Sequence, residues 1–549
     1  MSGALPDWAA AIGAEYVVHD EDSLQRAGTA TFATQAKVSA ILRPATRTEV
    51  QACVRIANRY RVPIYPVSTG KNWGYGSRVP NADAVLLELG RLNRILEFDE
   101  DLAYVTIEPG VTQRQLFAFL RERKSALWMD ATGASPDCSI IGNTMERGFG
   151  HTPMADHCAN ASAFEVVLPT GECIQTGFAS FPGTTAGALG RWGVGPSVDG
   201  LFSQSNLGIV TRMSVWLMPE PEDFQAFFFM CDGEEELGAI VDALRPLRLN
   251  GTLRSVMHIG NDYKVLTGTG QFPWNAMKGQ TPLGRSDMET LRAKLNIGAW
   301  NGAGGLYGTR GQVRDAREQV RKALKGRVSR LQFVNDRLLR IMGRFSRPFH
   351  MVTGWDISRT LEVLAPVYGL MKGVPTDSPM ASAYWRKKSP VPEHIDPDRD
   401  GCGLLWCSPV LPNTGRHALE VSRLATDVLL SHGFEPQMSV SIATERSAIC
   451  VITISYDREE PGEDERAIAC YRVLVDALLA RGYPPYRLPV GAMDYLGRSA
   501  DVEVVHRLKT ALDPNGILAP GRYDAGPVLR APVQPIPVRP QNPPDGSRA

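Results

Sequence analysis

The sequence predicts an α+β protein of two or more domains, on three observations. At 549 residues it exceeds what one hydrophobic core normally serves. Residues 1–222 alternate short apolar runs with segments of helical spacing, the pattern of strands and helices in succession. Near residue 222 the texture shifts to longer strands and amphipathic helices, and beyond residue 487 it returns to turns marked by Gly and Pro. The expected segments are therefore 1–222, 223–487 and 488–549.

Thr46-Arg-Thr-Glu49 has capping-box spacing and opens a helix whose inner face carries Val50, Cys53, Val54, Ile56 and Ala57. PIYPVSTG (63–70) is an apolar run ending in Gly, as a buried strand feeding a loop would be. AVLLEL (84–89) and AYVTIEPG (103–110) are further strands, and TQRQLFAFLRER (112–123) returns to helical spacing. FEVVLPTGECIQTG (164–177) reads as a hairpin turning at Pro-Thr-Gly. In the middle segment FQAFFFMC (224–231) and CVITISYD (450–457) are strands. GEEELGAIVDALRPL (233–247), ALEVSRLATDVLLSHG (418–433) and DERAIACYRVLVDALLARG (464–482) are helices. That alternation predicts a second sheet with its own helices. The Pro-rich tail from Gly526 is expected to be extended and without catalytic role.

Lys plus Arg equals Asp plus Glu at 59 each, which argues against a nucleic-acid or anionic-membrane partner. The first residues lack a basic stretch followed by an apolar one, and no apolar run approaches the ~20 residues of a membrane helix. The cysteines are scattered, and no second pair completes a zinc site beside Cys402 and Cys407. Free thiols, no metal and a cytoplasmic location are expected.

The chemistry is concentrated in Gly-rich segments. In PVSTGKNWGYGS (66–77), Gly70, Gly74 and Gly76 allow sharp turns and close approach to a ligand, while Ser68, Thr69, Lys71 and Asn72 offer donors suited to a pyrophosphate. The loop matches neither the Walker spacing nor GxGxxG opening a helix, so alone it competes with a Gly-rich hairpin of no function. TGASPDCSIIGNTMERGFGHTPMADH (132–157) mixes small and polar residues without helical or strand period, as backbone laid against a large flat ligand would. FSQSNLGIVTRMSVWLMP (202–219), PYRLPVGAMD (485–494) and ALDPNGILAPGR (511–522) complete the set, although Asp513 to Gly516 suits a β-turn in any fold.

In this order the segments resemble the vanillyl-alcohol oxidase and p-cresol methylhydroxylase family of flavoproteins, over about residues 40 to 525. Residues 66–76 are similar to that family's PVSTGKNxGYG, residues 139–157 to its S-x-x-GNxxERGxGxTPxxDH, and SNLGIVT (205–211) and LDPNGILAPG (512–521) are near-verbatim. The resemblance implies an FAD-binding domain in two parts, N-terminal and C-terminal, with an inserted α+β cap over the isoalloxazine ring. It implies that Pro66, Val67, Ser68, Thr69, Gly70, Lys71 and Asn72 cradle the pyrophosphate, and that Ser139, Gly142, Asn143, Glu146, Gly148 and Ile209 line the cofactor.

The family oxidises para-substituted phenols bound as phenolates between two tyrosines and an arginine, positions that match Tyr75, Tyr486 and Arg487. A phenol of pKa ~10 ionises in a buried site only where donors and positive charge favour the anion, each charge-assisted bond contributing roughly 1.5–3 kcal/mol. Arg522 falls where the family places a basic residue near the flavin. A packed Tyr486 with a surface Arg487 is the plain alternative. A flavoprotein of the same fold acting on a non-phenolic alcohol, hydroxy acid or amine is the rival function, and a flavin scaffold without turnover is a third.

Two departures stand out. Oxidase relatives carry an active-site Asp before S-x-x-GN, where this sequence has Ala134; Asp137 or Asp130 is expected to replace it, or hydride transfer proceeds without it. Relatives also link FAD through a His at the position of Leu404, and no His lies within 398–416. Dissociable FAD is therefore expected, with a tyrosyl link through Tyr384 as the alternative. His151 and His157 read as hydrogen-bonded structural histidines before ring-facing ones. Trp73 is expected to narrow the site, and Arg386, Lys387 and Lys388 to form a solvated face or to dock an acidic partner. The acceptor would be O2 or an electron-transfer protein, and the assembly a homodimer or larger.

Overall fold

The computed structural model describes residues 3–341 and 357–524. The Pro-rich tail lies outside them. Strands β1 (Val17–Val18), β2 (Val38–Leu42), β3 (Ile64–Val67) and β4 (Ala84–Glu88) form one sheet in the order β1-β2-β4-β3, with β2, β4 and β3 parallel. The helix Arg47–Tyr60 crosses from β2 to β3 and buries the five residues its spacing singled out. Thr46 caps it by accepting from the Glu49 N–H, but the Glu49 carboxylate accepts from Ala45 N at 2.7 Å, one residue earlier than a full capping box requires.

Strands β5 (Ile95–Asp99), β6 (Tyr104–Ile107), β8 (Ala161–Val167), β9 (Cys173–Gln175) and β10 (Ile209–Trp216) make a second, antiparallel sheet in the order β5-β6-β10-β8-β9. The expected hairpin is the β8–β9 pair. Apart from these sheets, β7 (Leu127–Trp128) pairs with β11 (Met218–Pro219). The last described residues come back to the first sheet. Ile64 N donates to Ile517 O and Ala519 N to Ile64 O, both at 2.8 Å. Buried Lys509 ties the same turn together through Asn206 O, Leu518 O and the Asp513 carboxylate. The first and last stretches of sequence thus share one sheet edge.

The third sheet holds β12 (Asp223–Cys231), β13 (Met257–Asn261), β14 (Trp300–Gly308), β15 (Arg330–Val334), β16 (Cys402–Cys407), β17 (Val410–Pro412), β18 (Gln437–Ile442) and β19 (Ser447–Asp457). Its order is β15-β12-β14-β13-β18-β19-β16, with β17 on β19. The two-residue period of a strand decides its function. Met257, Ile259, Met438, Val440, Cys450 and Ile452 point into a core with the helices Glu236–Leu249, Gly415–Ser431 and Glu463–Ala480. The alternate residues His258, Ser439, Ser441 and Val451 face the opposite way, toward a cavity.

The charged stretch 386–388 departs from its expectation. Arg386 and Lys387 are 3% and 1% exposed. Arg386 pairs with the wholly buried Glu435 at 2.7 Å, and Lys387 with Asp457 at 2.8 Å; Lys388 alone reaches solvent, beside Glu460. Sequence texture cannot show the buried acids that draw these side chains inward. Arg386→Ala would strand Glu435 in the interior, so guanidinium unfolding should show a loss of about 3–5 kcal/mol. An unchanged midpoint would contradict the buried pair.

Candidate active site

The loop after β3 meets the helix Ile140–Met145 through short side chains. Ser139 caps that helix by accepting from Gly142 N at 2.8 Å and donates to Pro109 O at 2.6 Å, while its own N–H donates to Thr69 Oγ1 at 3.1 Å. Small residues are required here. A Cβ on Gly148 would lie 2.1 Å from Asn143 Oδ1, and one on Gly74, at φ +76°, would lie 2.7 Å from the Trp406 ring.

Glu146, just past this helix, is the organising charge. Its carboxylate accepts from Arg522 Nη2 at 2.7 Å, from Arg487 Nη2 at 3.2 Å and from the Tyr523 hydroxyl at 2.6 Å. Burial alone would raise its pKa, but the Arg522 and Arg487 charges outweigh burial and hold the carboxyl down to about 2. Both guanidiniums stay charged for the reciprocal reason, since burial works against them and the facing Glu146 and tyrosines win.

Arg487 also donates to Asn72 Oδ1 at 2.6 Å and lies 4.2 Å above the Tyr75 ring. The Tyr75 hydroxyl meets Ser408 Oγ at 2.9 Å, and burial pushes its pKa well above the ordinary value, so it remains a neutral donor. Tyr486 is oriented through its backbone, which bonds Ser408 O and Gln204 Nε2, and its ring packs 6.0 Å from Phe149.

These groups line a cavity of about 370 Å³. Every residue that the resemblance assigned to the cofactor or to the phenolate, from Pro66 through Asn72, Tyr75, Ser139, Gly142, Asn143, Glu146, Gly148, Ile209, Tyr486, Arg487 and Arg522, is on its wall. The far wall comes from the third sheet and was missed by sequence reasoning: Trp406 of β16, Ser408 just after it, and His258, Ser439, Ser441 and Val451. No local motif marks them, because Ser408 lies in the short link between β16 and β17 and each of the others is one residue of an ordinary strand.

Other expectations move. Asp137 forms a surface pair with Arg114 at 2.8 Å, and Asp130 is buried behind the wall, bonded to His157 Nε2 at 2.6 Å and Thr152 N at 2.7 Å. Neither replaces the missing acid on the wall, where Ala134 itself sits; Glu146 is the one carboxylate there among the described residues. His157 is structural, bridging Asp130 and Asn143, whereas His151 faces the cavity. Trp73 does not narrow the site: it is 1% exposed and packs with Met380, Tyr384 and Leu404. Tyr384 lies in that cluster with its hydroxyl 2.5 Å from Asp400, away from the cavity wall. All nine cysteines are free, and among the described residues no helix is long and apolar enough to cross a membrane and no acid, Cys or His group is placed to hold a metal.

The site suits FAD by its own chemistry. Arg487 Nε and Arg522 Nη1 are buried donors with no partner among the described residues, on two side chains that line a site already rich in backbone and hydroxyl donors. The comparisons agree. The family described as "FAD binding domain" matches residues 38–177. The 1'-carboxy-chondrochloren decarboxylase of Chondromyces crocatus is 47% identical over 95% of this chain and 97% of its own length. The 4-cresol dehydrogenase [hydroxylating] flavoprotein subunit of Pseudomonas putida is 32% identical over 88% and 87%. Among solved structures, p-cresol methylhydroxylase with substrate bound superposes with TM-score 0.85 at 29% identity, over 95% of this chain and 96% of that one. The 4-ethylphenol oxidase of Gulosibacter chungangensis in complex with isoeugenol gives 0.86 at 30%, over 95% and 97%.

The chain belongs to the p-cresol methylhydroxylase and vanillyl-alcohol oxidase family: it is an FAD-dependent oxidoreductase with a two-part FAD-binding domain and an inserted α+β cap. Gly148→Ala should weaken FAD binding by at least ~10-fold, or ~1.4 kcal/mol, by displacing Asn143. Fluorescence titration of the apoprotein checks this, and unaltered affinity would remove Asn143 from the cofactor's surroundings.

Proposed function

We propose that the protein oxidises a para-substituted phenol held as its phenolate by Tyr75, Tyr486 and Arg487. The observation that carries this reading is the buried Arg487 guanidinium over the Tyr75 ring, with Nε unpartnered among the described residues and Tyr75 and Tyr486 on the same wall. Bound FAD supplies a two-electron acceptor for the hydrogen that leaves the benzylic carbon as hydride. Arg487 and the tyrosines stabilise the anion whose electron density drives that departure. Asn72 and Glu146 fix the Arg487 guanidinium plane, and Arg522, on the same carboxylate, adds positive charge to the cofactor side. We further propose that residues 1–222 with 488–524 hold FAD and 223–487 form the cap. FAD is held without a covalent bond, since Tyr384 is engaged with Asp400.

The name of the Chondromyces crocatus relative supports a second reading. Where the para side chain carries a carboxylate on the carbon adjacent to the benzylic carbon, hydride loss from the benzylic carbon leaves a quinone methide. Breaking the C–CO2 bond then returns an electron pair that restores the phenolate, leaving an alkene and CO2.

Anaerobic mixing with 4-alkylphenols and 4-hydroxyphenyl alcohols should bleach the flavin band, and readmitted air will show whether O2 serves as acceptor. Bleaching by hydroxy acids but by no phenol would sink the proposal. Arg487→Ala should weaken binding of a phenol inhibitor by at least ~10-fold, ~1.4 kcal/mol. Acid precipitation should leave the yellow colour in the supernatant, and a yellow pellet would show a covalent link.

A further inference from the structure

We infer that His151 is the catalytic base of this site, with Nε2 the atom that accepts the proton; this rests on the phenolate reading above. Its ring is held by a bond of fixed sense. Nδ1 lies 3.0 Å from the backbone carbonyl of Ala131, which can only accept, so Nδ1 carries hydrogen. In the neutral ring Nε2 then holds a lone pair, and the residue lines the cavity.

The location fits the role. A Cβ built on Gly133 would lie 3.8 Å from His151 Cε1, so the imidazole abuts the Gly133–Ala134 turn, where the resemblance expects a carboxylate and this chain has a methyl group. On the cavity wall His151 packs against His258, ring centres 4.4 Å apart; His258 stacks on Phe149 at 6.2 Å, and Phe149 lies 6.0 Å from Tyr486 of the phenolate trio. The base and the anion site therefore share one aromatic wall.

Several groups surround the ring. Asp130 accepts from the His151 backbone N–H at 3.2 Å and binds His157 behind it, while His258 bonds Ser441 Oγ at 2.9 Å from the cap side. Burial pushes the His151 pKa down, the Ala131 carbonyl and Asp130 act the other way, and His157 adds to the lowering. Burial, with His151 beside it, depresses His258 further. Both rings are thus neutral near pH 7, and a neutral imidazole is the form that can take a proton.

In the hydration step, water oxygen bonds to the benzylic carbon of the quinone methide. The exocyclic double-bond pair moves into the ring to restore the phenolate, and the water proton passes to His151 Nε2. No oxidant is consumed in this step.

Two measurements on the FAD-loaded protein test the inference. In ¹⁵N-histidine spectra, with His151 assigned by its loss in His151→Gln, the ring should be neutral at pH 7 with hydrogen on Nδ1. A charged ring, or hydrogen on Nε2, would overturn the assignment whatever the substrate. In anaerobic single turnovers with 4-ethylphenol, the ratio of quinone-methide decay to flavin bleaching should fall at least ~100-fold in His151→Gln and His151→Phe, the scale of a general base. An unchanged ratio would overturn it. Absence of bleaching in the parent protein would instead defeat the phenol reading, and the tautomer measurement would still decide His151.

Discussion

Glu146 meets Arg487, Arg522 and Tyr523 at the cavity wall, with both arginines buried, and the remaining geometry of the site follows from that cluster. Two arginines buried side by side would repel each other and carry a desolvation cost of several kcal/mol each. One carboxylate between them relieves both problems while cancelling only half of their charge. The surplus charge sits beside the cavity that both arginines line, and Arg487 Nε and Arg522 Nη1 have no partner among the described residues. A site so built favours anions: a phenolate, a cofactor pyrophosphate or a reduced flavin. The cluster also joins distant sequence, since Glu146 follows the helix after Ser139 whereas both arginines come from the last fifty described residues.

The side of the cavity around His151 and His258 has the opposite character. His151, with His258, Ser439 and Ser441 of the third sheet, forms a neutral polar surface, and the wall offers no free carboxylate among the described residues. One side holds charge and the other manages protons. That division is what oxidation of a phenolate requires, because removing hydride from an anion leaves a neutral, electrophilic carbon whose next reaction depends on a proton acceptor. Behind the wall, Asp130 and His157 brace this arrangement through Asn143, the one member of that chain that reaches the cavity.

Much of this was legible in the sequence. The helices and strands around 47–60, 113–122, 223–231, 415–431, 447–457 and 463–480 follow their apolar periods, because burial of one face sets local structure there. The Gly-rich loops were recognisable since close approach of backbone to a ligand restricts residue type at each position. The cap wall was not. Trp406, His258 and Ser441 reach the cavity through pairings such as His258 opposite Ser441, separated by more than 180 residues, and nothing local records such a register. Arg386 and Lys387 misled for the same reason, their acids lying 49 and 70 residues away. His151 sat inside a recognised motif, yet its tautomer became readable only once the Ala131 carbonyl was placed beside it.

The central claim is that the Arg487 side of the cavity stabilises an anion derived from a phenol. The ultraviolet difference spectrum of a non-reacting 4-substituted phenol bound to the oxidised protein tests it most directly. The account predicts the phenolate spectrum at pH 7, about three units below the ordinary phenol pKa of ~10, and its replacement by the neutral spectrum when Arg487 is changed to Ala. A bound phenol that keeps its proton at pH 7 in the unaltered protein would contradict the account.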